Sequence, residues 1–321
     1  MPIWQSLPST ILRRMLMQRK MWRRSLTKYW QLYLLLIPVI AYYVIFKYQP
    51  MLGAQIAFRN FKFSKGIWDS KWVGLEHFER FFSSSQSTTL ITNTVVLSLL
   101  SLVFCFPFPI ILALIINELR SSSAKKLVQT ITYAPHFIST IVVVGMMMSM
   151  CSPSTGIVNT LLKRMNFAEE GLYLMGRAKY FRMMYIISAI WKDSGWNAII
   201  FISALAAIDQ SLYEAASVDG ASRWKQLVHI TLPGLLPTII IMLILESGKV
   251  MSVGFEKVYA MQTDLNLSVS EVISTYTYKI GLERFEYDYA TAIGLFNSVI
   301  NFMILVLVNG ISKRVTETSL W

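Results

Sequence analysis

Tyr213-Glu-Ala-Ala-Ser-Val-Asp-Gly-Ala-Ser-Arg-Trp-Lys-Gln-Leu-Val-His-Ile-Thr-Leu-Pro-Gly234 is a polar interruption between two long apolar runs, too ordered in composition for a slack loop. Leu212, Tyr213, Glu214, Ala215 and Ala216 favour helix. Gly220 takes a positive φ at little cost, which suits a bend. Beyond it, Ala221, Trp224, Leu227 and Val228 fall at i, i+3, i+6 and i+7, one apolar stripe of a second short helix. Pro233 then marks a break, because proline lacks an N–H and restricts the residue before it. The pattern is helix, glycine bend, amphipathic helix, proline, membrane: a compact knob along the membrane face, offered to a partner.

The rest of the chain supplies the membrane. Of its 321 residues, 54% are hydrophobic and 15% charged, where an average soluble domain carries roughly 25% charged residues. Apolar runs of about 20 residues, the length that spans about 30 Å of hydrocarbon, recur six times. The predicted spans are residues 29–46, 88–116, 127–150, 183–208, 235–255 and 290–311, so the fold class is an all-α membrane protein with six transmembrane helices. The net charge of +12 gathers partly in residues 1–28, where Arg13, Arg14, Arg19, Lys20, Arg23, Arg24 and Lys28 stand without an acid. That is a positive-inside signal, so it predicts a cytoplasmic arm, bilayer contact and no nucleic-acid partner. No small-residue cleavage site follows the first span, so the arm is not read as a signal peptide. Six spans put both termini in the cytoplasm and segment 209–234 on the same side, without using that segment to set the topology. Lys163, Arg164, Arg177, Lys179 and Arg182 on the external segment 151–182 weaken the charge tally, which is a bias and not a law. A short lateral helix is expected there. The domain organisation is an arm, 1–28, and one transmembrane domain, 29–321.

The order Glu214-Ala215-Ala216, three residues, Gly220, nine residues, Ile230-x-Leu232-Pro233 resembles the signature loop of permease subunits of bacterial ATP-binding-cassette importers. Segments such as Tyr48-Gln-Pro-Met-Leu-Gly-Ala-Gln-Ile-Ala-Phe58, Gly254-Phe-Glu256, Ala292-Ile-Gly-Leu-Phe296 and the tail Ser319-Leu-Trp321 extend the likeness, within the MalF-like, polysaccharide and oligosaccharide branch that includes alginate-type permeases. The resemblance implies a type I importer permease fold in a bacterial cytoplasmic membrane. It implies that Glu214, Ala215, Ala216, Asp219, Gly220, Trp224, Leu227, Ile230, Leu232 and Pro233 form a coupling helix seated in a cytoplasmic ATPase dimer. It further implies a second permease subunit and an external solute-binding protein, with ATP and Mg bound by the ATPase and no cofactor in this chain. Trp224, Leu227 and Val228 are the expected packing face, and Glu214 is expected to pair with a nearby basic group.

Catalytic chemistry is not visible. Ser247-Gly248-Lys249 is no phosphate loop, because the glycine needed five residues before the Gly-Lys pair is Leu243. His77, His136 and His229 are too far apart for a metal motif. Cys105 and Cys151 are expected as buried thiols without a role. Candidate sugar contacts are Trp191, Asp193, Trp196, Asn197, Glu246 and Asn297, because an aromatic face stacks on sugar C–H bonds while amides and carboxylates bond hydroxyls. Their bland alternative is helix–helix hydrogen bonding or ion pairing. Glu246 and Lys249, three apart, share a helix face and could neutralise each other. Intramembrane His136, next to Pro135, is either a lumen contact or gate, or a neutral ring bonded to a neighbouring helix. The aromatics of segment 47–87, among them Phe58, Phe63, Trp68, Trp72 and Phe81, either face a binding protein or pack on one another. The expected cargo is an oligosaccharide, with an acidic polymer such as alginate suiting the cationic outer segments and neutral sugars remaining open. A sugar–lipid enzyme would need clustered acids or a metal at a membrane face, and a passive channel would need no ATPase partner.

Overall fold

The computed structural model describes residues 28–167 and 171–321, so all but the last residue of the basic arm lies outside the described residues. Among the described residues, four continuous helices are long and apolar enough to cross a bilayer: α1 (Trp30–Phe58), α3 (Ser85–Glu118), α9 (Arg223–Ser247) and α13 (Tyr287–Thr316). Two bent pairs of helices bring the number to six if each pair is counted as one span. α4 (Ser122–Tyr133) and α5 (Thr140–Met150) meet at 97°, and α7 (Ala178–Ala206) and α8 (Gln210–Val218) at 65°. The third span is therefore not one straight helix over 127–150. Pro135 sits in a tight turn, Ala134–Phe137, and Ser139 starts a new helix by accepting from the Val142 N–H at 3.4 Å.

The prolines behave differently from expectation. Pro233 does not break the chain, which stays helical from Arg223 to Ser247. The turn Leu227–Thr231 is widened, and the Leu232 N–H reaches the Leu227 carbonyl five residues back. Widened turns Val44–Tyr48 and Ser101–Cys105 likewise stand two residues before Pro50 and Pro107. A proline ring presses on the carbonyl four residues earlier, and one extra residue in that turn relieves it without ending the helix. Pro38 lies inside α1, which runs on past it.

α1 carries no buried residue between Trp30 and Met51 and ends twelve residues beyond the predicted limit. An antiparallel hairpin follows that the sequence did not announce: β1 (Arg59–Lys62) and β2 (Gly66–Trp72). Here α2 (Glu76–Ser83) and the start of α13 hold the hairpin. The Phe61 N–H donates to Asp288 at 3.1 Å, and Arg80 pairs with Glu286 at 2.6 Å. Phe58 stacks on Trp72 and Phe81 is buried, so much of the aromatic density packs on itself, while Phe63 and Trp68 stay exposed.

The lateral helix predicted in 151–182 is present as α6 (Ile157–Arg164), fixed by buried Asn159. Its amide donates to the carbonyls of Cys151, Ser152 and Leu172 and accepts from the Leu172 N–H. On the same side, α10 (Phe255–Met261), α11 (Leu267–Ser270) and α12 (Ile273–Tyr278) are organised by buried Asn266, which bonds Met175, Met261, Thr263 and Ser270. Three apolar clusters form the core. One joins Leu97, Phe181, Tyr185 and Met261, a second joins Phe81, Ile273 and Ile293, and a third joins Ala113, Phe201 and Leu235. α7 runs through the first and third. At Gly195 it meets α4 so closely that any Cβ would collide with the Thr132 carbonyl, a helix contact that only a small residue permits.

Candidate functional site

Two sites emerge at opposite ends of α9. The first is the knob. Asp209 starts α8 by accepting from the Ser211 N–H at 2.9 Å, a bond that holds its carboxyl below the usual range. At the other end, Gly220 has φ +75. The Gly220 N–H donates to Ser217 O at 3.1 Å and the Ala221 N–H to Ala216 O at 2.9 Å. This pair of bonds is a Schellman stop, which needs a left-handed residue after the C-cap, here Asp219. Ser222 then caps the next turn through the Lys225 N–H at 3.4 Å. Two side-chain bridges fix the angle between α8 and α9. The Tyr213 hydroxyl bonds Thr231 at 2.9 Å, and Gln226 donates to Ser217 at 3.0 Å.

Glu214 finds no ion-pair partner among the described residues. Instead Arg223 reaches Glu118, at the end of α3, at 3.5 Å. Of the expected packing face, Leu227 is half-buried against the knob, Val228 is more open, and Trp224 is 71% exposed. Val218, one residue before the cap, is 88% exposed. Glu214, Ala215, Asp219 and Gly220 are also exposed, Ala216, Ile230 and Leu232 half-buried, and Pro233 exposed.

The second site is a cavity of about 240 Å³ among α3, α7, α9 and the segment after α9. The fifth span does not continue to residue 255. Its helix stops at Ser247, tight turns follow to Met251, and residues 252–254 are non-helical. Asn301 of α13 catches this stretch, accepting from the Met251 N–H at 2.8 Å and donating to the Ser252 hydroxyl at 2.8 Å. Non-helical backbone between membrane helices is tolerated where it lines a cavity, and Ser252, Val253 and Gly254 line this one.

Asn197 and Glu246 meet in the cavity wall, with Tyr185 and Phe106 as aromatic surface. Lys249 lies 3.2 Å from Glu246, so the i, i+3 pair expected from the sequence is present. Ser98 adds a hydroxyl that is buried without a hydrogen-bond partner. Cys105 lines the wall too and is only half-buried, contrary to the expectation of a wholly buried thiol.

Trp191, Asp193, Trp196 and Asn297 stand outside this wall. Asp193 bonds His136 at 3.0 Å and lies 3.8 Å from Lys192, which donates to the His136 carbonyl at 3.1 Å. Trp196 stacks on the His136 ring at 4.7 Å. These residues clasp the bend between α4 and α5 to α7, so His136 is bonded to a neighbouring helix. Asn297 lies on α13 with its amide oxygen buried and unpartnered. Sequence reasoning missed Ser98, Tyr185 and Asn301. Polar residues inside apolar runs were the available signal for Ser98 and Asn301.

A multi-helix membrane protein with a bent, exposed knob, and a polar cavity walled partly by non-helical backbone, has the build of a solute permease. The chain belongs to the family of binding-protein-dependent transport system inner membrane components, whose family description matches residues 91–317. It is thus a multi-pass inner-membrane protein and a non-catalytic transport subunit. It is 42% identical over 300 residues to Protein LplB of Bacillus subtilis (strain 168), with 94% of each chain covered. It is 39% identical over 290 residues to the polygalacturonan/rhamnogalacturonan transport system permease protein YteP of the same organism, with 90% of each covered. Its fold matches a chain in the crystal structure of a bacterial ABC transporter involved in the import of the acidic polysaccharide alginate. The TM-score is 0.85 at 41% identity, covering 92% of this chain and 99% of that one. A second structure of the bacterial alginate transporter, in complex with alginate pentasaccharide-bound periplasmic protein, matches with the same values.

Proposed function

We propose that this chain forms the translocation path of an ATP-driven importer for an acidic oligosaccharide, together with a second permease subunit. A cytoplasmic ATPase dimer grips the knob built on Gly220 and its counterpart on the sister subunit. ATP and Mg stay in the ATPase. An external binding protein delivers the sugar on the side of α6, α10 and the hairpin. Both termini lie in the cytoplasm, which agrees with the six crossings and with the acid-free basic arm, residues 1–28.

The observation that carries the sugar assignment is the cavity wall. An amide (Asn197), a carboxylate (Glu246), hydroxyls (Ser98, Ser252) and aromatic faces (Tyr185, Phe106) converge on one space. That mixture suits a ligand with apolar C–H faces and many hydroxyls. The printed cargoes of the similar proteins, polygalacturonan/rhamnogalacturonan in one and alginate in the other, favour an acidic chain. Trp191, Asp193, Trp196 and Asn297 remain candidates for later stages of passage, when the helices have moved.

The test is reconstitution in proteoliposomes with the ATPase, sister permease and binding protein. Asn197→Ala and Glu246→Gln should each slow uptake of an acidic oligosaccharide while leaving complex assembly intact. Uptake unaffected by both substitutions would remove the cavity from the sugar path. Activity of the purified chain with no ATP-hydrolysing companion would remove the importer assignment itself.

A further inference from the structure

Lys257, on α10, is a cation with no close ion pair among the described residues. Its Nζ donates to the Tyr185 carbonyl at 2.7 Å and stands 4.3 Å above the centre of the Tyr185 ring. No carboxylate among the described residues lies within 4 Å of it. The acids on the surrounding elements are engaged elsewhere or point away: Glu256, its neighbour on α10, is exposed and makes no ion pair among the described residues. Asp193 is held by His136 and Lys192, Glu246 by Lys249, and Glu271 by Lys279 at 2.9 Å, while Glu283 accepts from Tyr259 at 3.1 Å. A part-buried ammonium whose close contacts are a carbonyl and a ring face, with the charge of Asp193 acting on it only from beyond 4 Å, keeps an outstanding demand for an anion.

The place of that demand matters. Tyr185 lines the cavity, as does Gly254, three residues before Lys257 and one residue before α10 begins. Lys257 therefore stands one side chain behind the cavity wall. The wall's own charged pair, Glu246 and Lys249, is internally neutral, so Lys257 leaves the outer end of the cavity with net positive character. Ser98 gives an independent sign of a missing ligand in the cavity: its buried hydroxyl has no partner among the described residues.

We propose that Lys257 is a specificity-determining residue of this permease, favouring a sugar that carries a carboxylate over its neutral counterpart. The inference rests on the cavity being the sugar site. Lys257 acts through the cavity wall by its field and through the position it gives Tyr185, and it makes no covalent step.

The experiment uses the full importer in proteoliposomes, with trigalacturonate and its neutral counterpart galactotriose as the probes. The binding protein is common to every arm, so its own preference cancels from the variant-to-wild-type ratio. Lys257→Met should slow trigalacturonate uptake about ten-fold and change galactotriose uptake by less than about two-fold, as for two unit charges about 10 Å apart at an effective dielectric of about 20. Lys257→Arg keeps the charge and should restore most of the acid uptake. Equal losses for both sugars in Lys257→Met would mean a packing role and overturn the proposal, and so would no loss for either. The parent assignment fails separately, by Asn197→Ala and Glu246→Gln leaving both uptakes unchanged. Wild-type importer that moves neither probe would overturn both.

Discussion

Replacing Gly220 by valine tests the knob at its weakest joint. Gly220 has φ +75, and nothing lies within 4 Å of where a Cβ would stand. The cost is therefore one of backbone and not of collision. A residue with a Cβ pays about 1–2 kcal/mol in the left-handed region, and a β-branched one more. Two Schellman bonds depend on that conformation, each worth about 1 kcal/mol net. A penalty of about 1–2 kcal/mol reduces the bent form roughly 5–30-fold relative to its alternatives. An ATPase that docks only the bent form loses apparent affinity by up to the same factor, the full loss applying where the bent form is the minor species. The site is exposed at the end of α8, so insertion and thermal stability of the subunit should hardly change. The assay is sugar-stimulated ATP hydrolysis and sugar uptake in the reconstituted complex. Gly220→Val should uncouple hydrolysis from uptake and lower uptake by up to about ten-fold. Gly220→Asn, which tolerates the left-handed region, should stay near wild type. Unchanged sugar-stimulated hydrolysis and uptake in the valine variant, or an asparagine variant as damaged as valine, would refute the reasoning.

Three further predictions follow from single contacts. Asn159→Ala removes an almost fully buried amide with four hydrogen bonds and orphans the Leu172 N–H; it should cost about 3 kcal/mol and lower the detergent-solubilised melting temperature. Tyr213→Phe removes the 2.9 Å bond to Thr231 and should cost about 1 kcal/mol, with uptake falling more than melting temperature because the bond sets the angle of the knob. Asp193→Asn removes the charged partner of His136 but can still accept a hydrogen bond from it; transport should survive that change and fall in Asp193→Ala, as measured by uptake at constant membrane abundance.

Much of the knob was legible because its chemistry is local. Gly220 is followed by a capped turn and preceded by a helix-forming run, so the left-handed stop at that residue could be read from spacing alone. The exit could not. Pro233 in isolation reads as a break, and only the widened turn Leu227–Thr231 shows how the helix absorbs it. The same gap explains the 97° bend at Pro135, where the local sequence is compatible with a kink, a break or a continuous span. The cavity was half legible. Asn197 and Glu246 were predicted as site residues and do share a wall, whereas Trp196 and Asp193 turned out to hold His136. Nothing in a one-dimensional pattern distinguishes a polar residue facing a cavity from one facing a neighbouring helix.

The sequence by itself determined the class of solvent, the all-helical membrane fold and the place of the glycine stop. Each depends on hydrophobic length or on one residue's backbone freedom, and neither needs a neighbour distant in the chain. Tertiary structure decided which polar groups face one another. It sent Arg223 to Glu118 and left Glu214 unpaired among the described residues, brought Asn301 to Met251 beyond the end of α9, and placed Lys257 over Tyr185 with no acid of the described residues within 4 Å. Those pairings join segments from about 50 to more than 100 residues apart. They follow from how rigid helices pack, with small residues such as Gly195 setting the distance of approach.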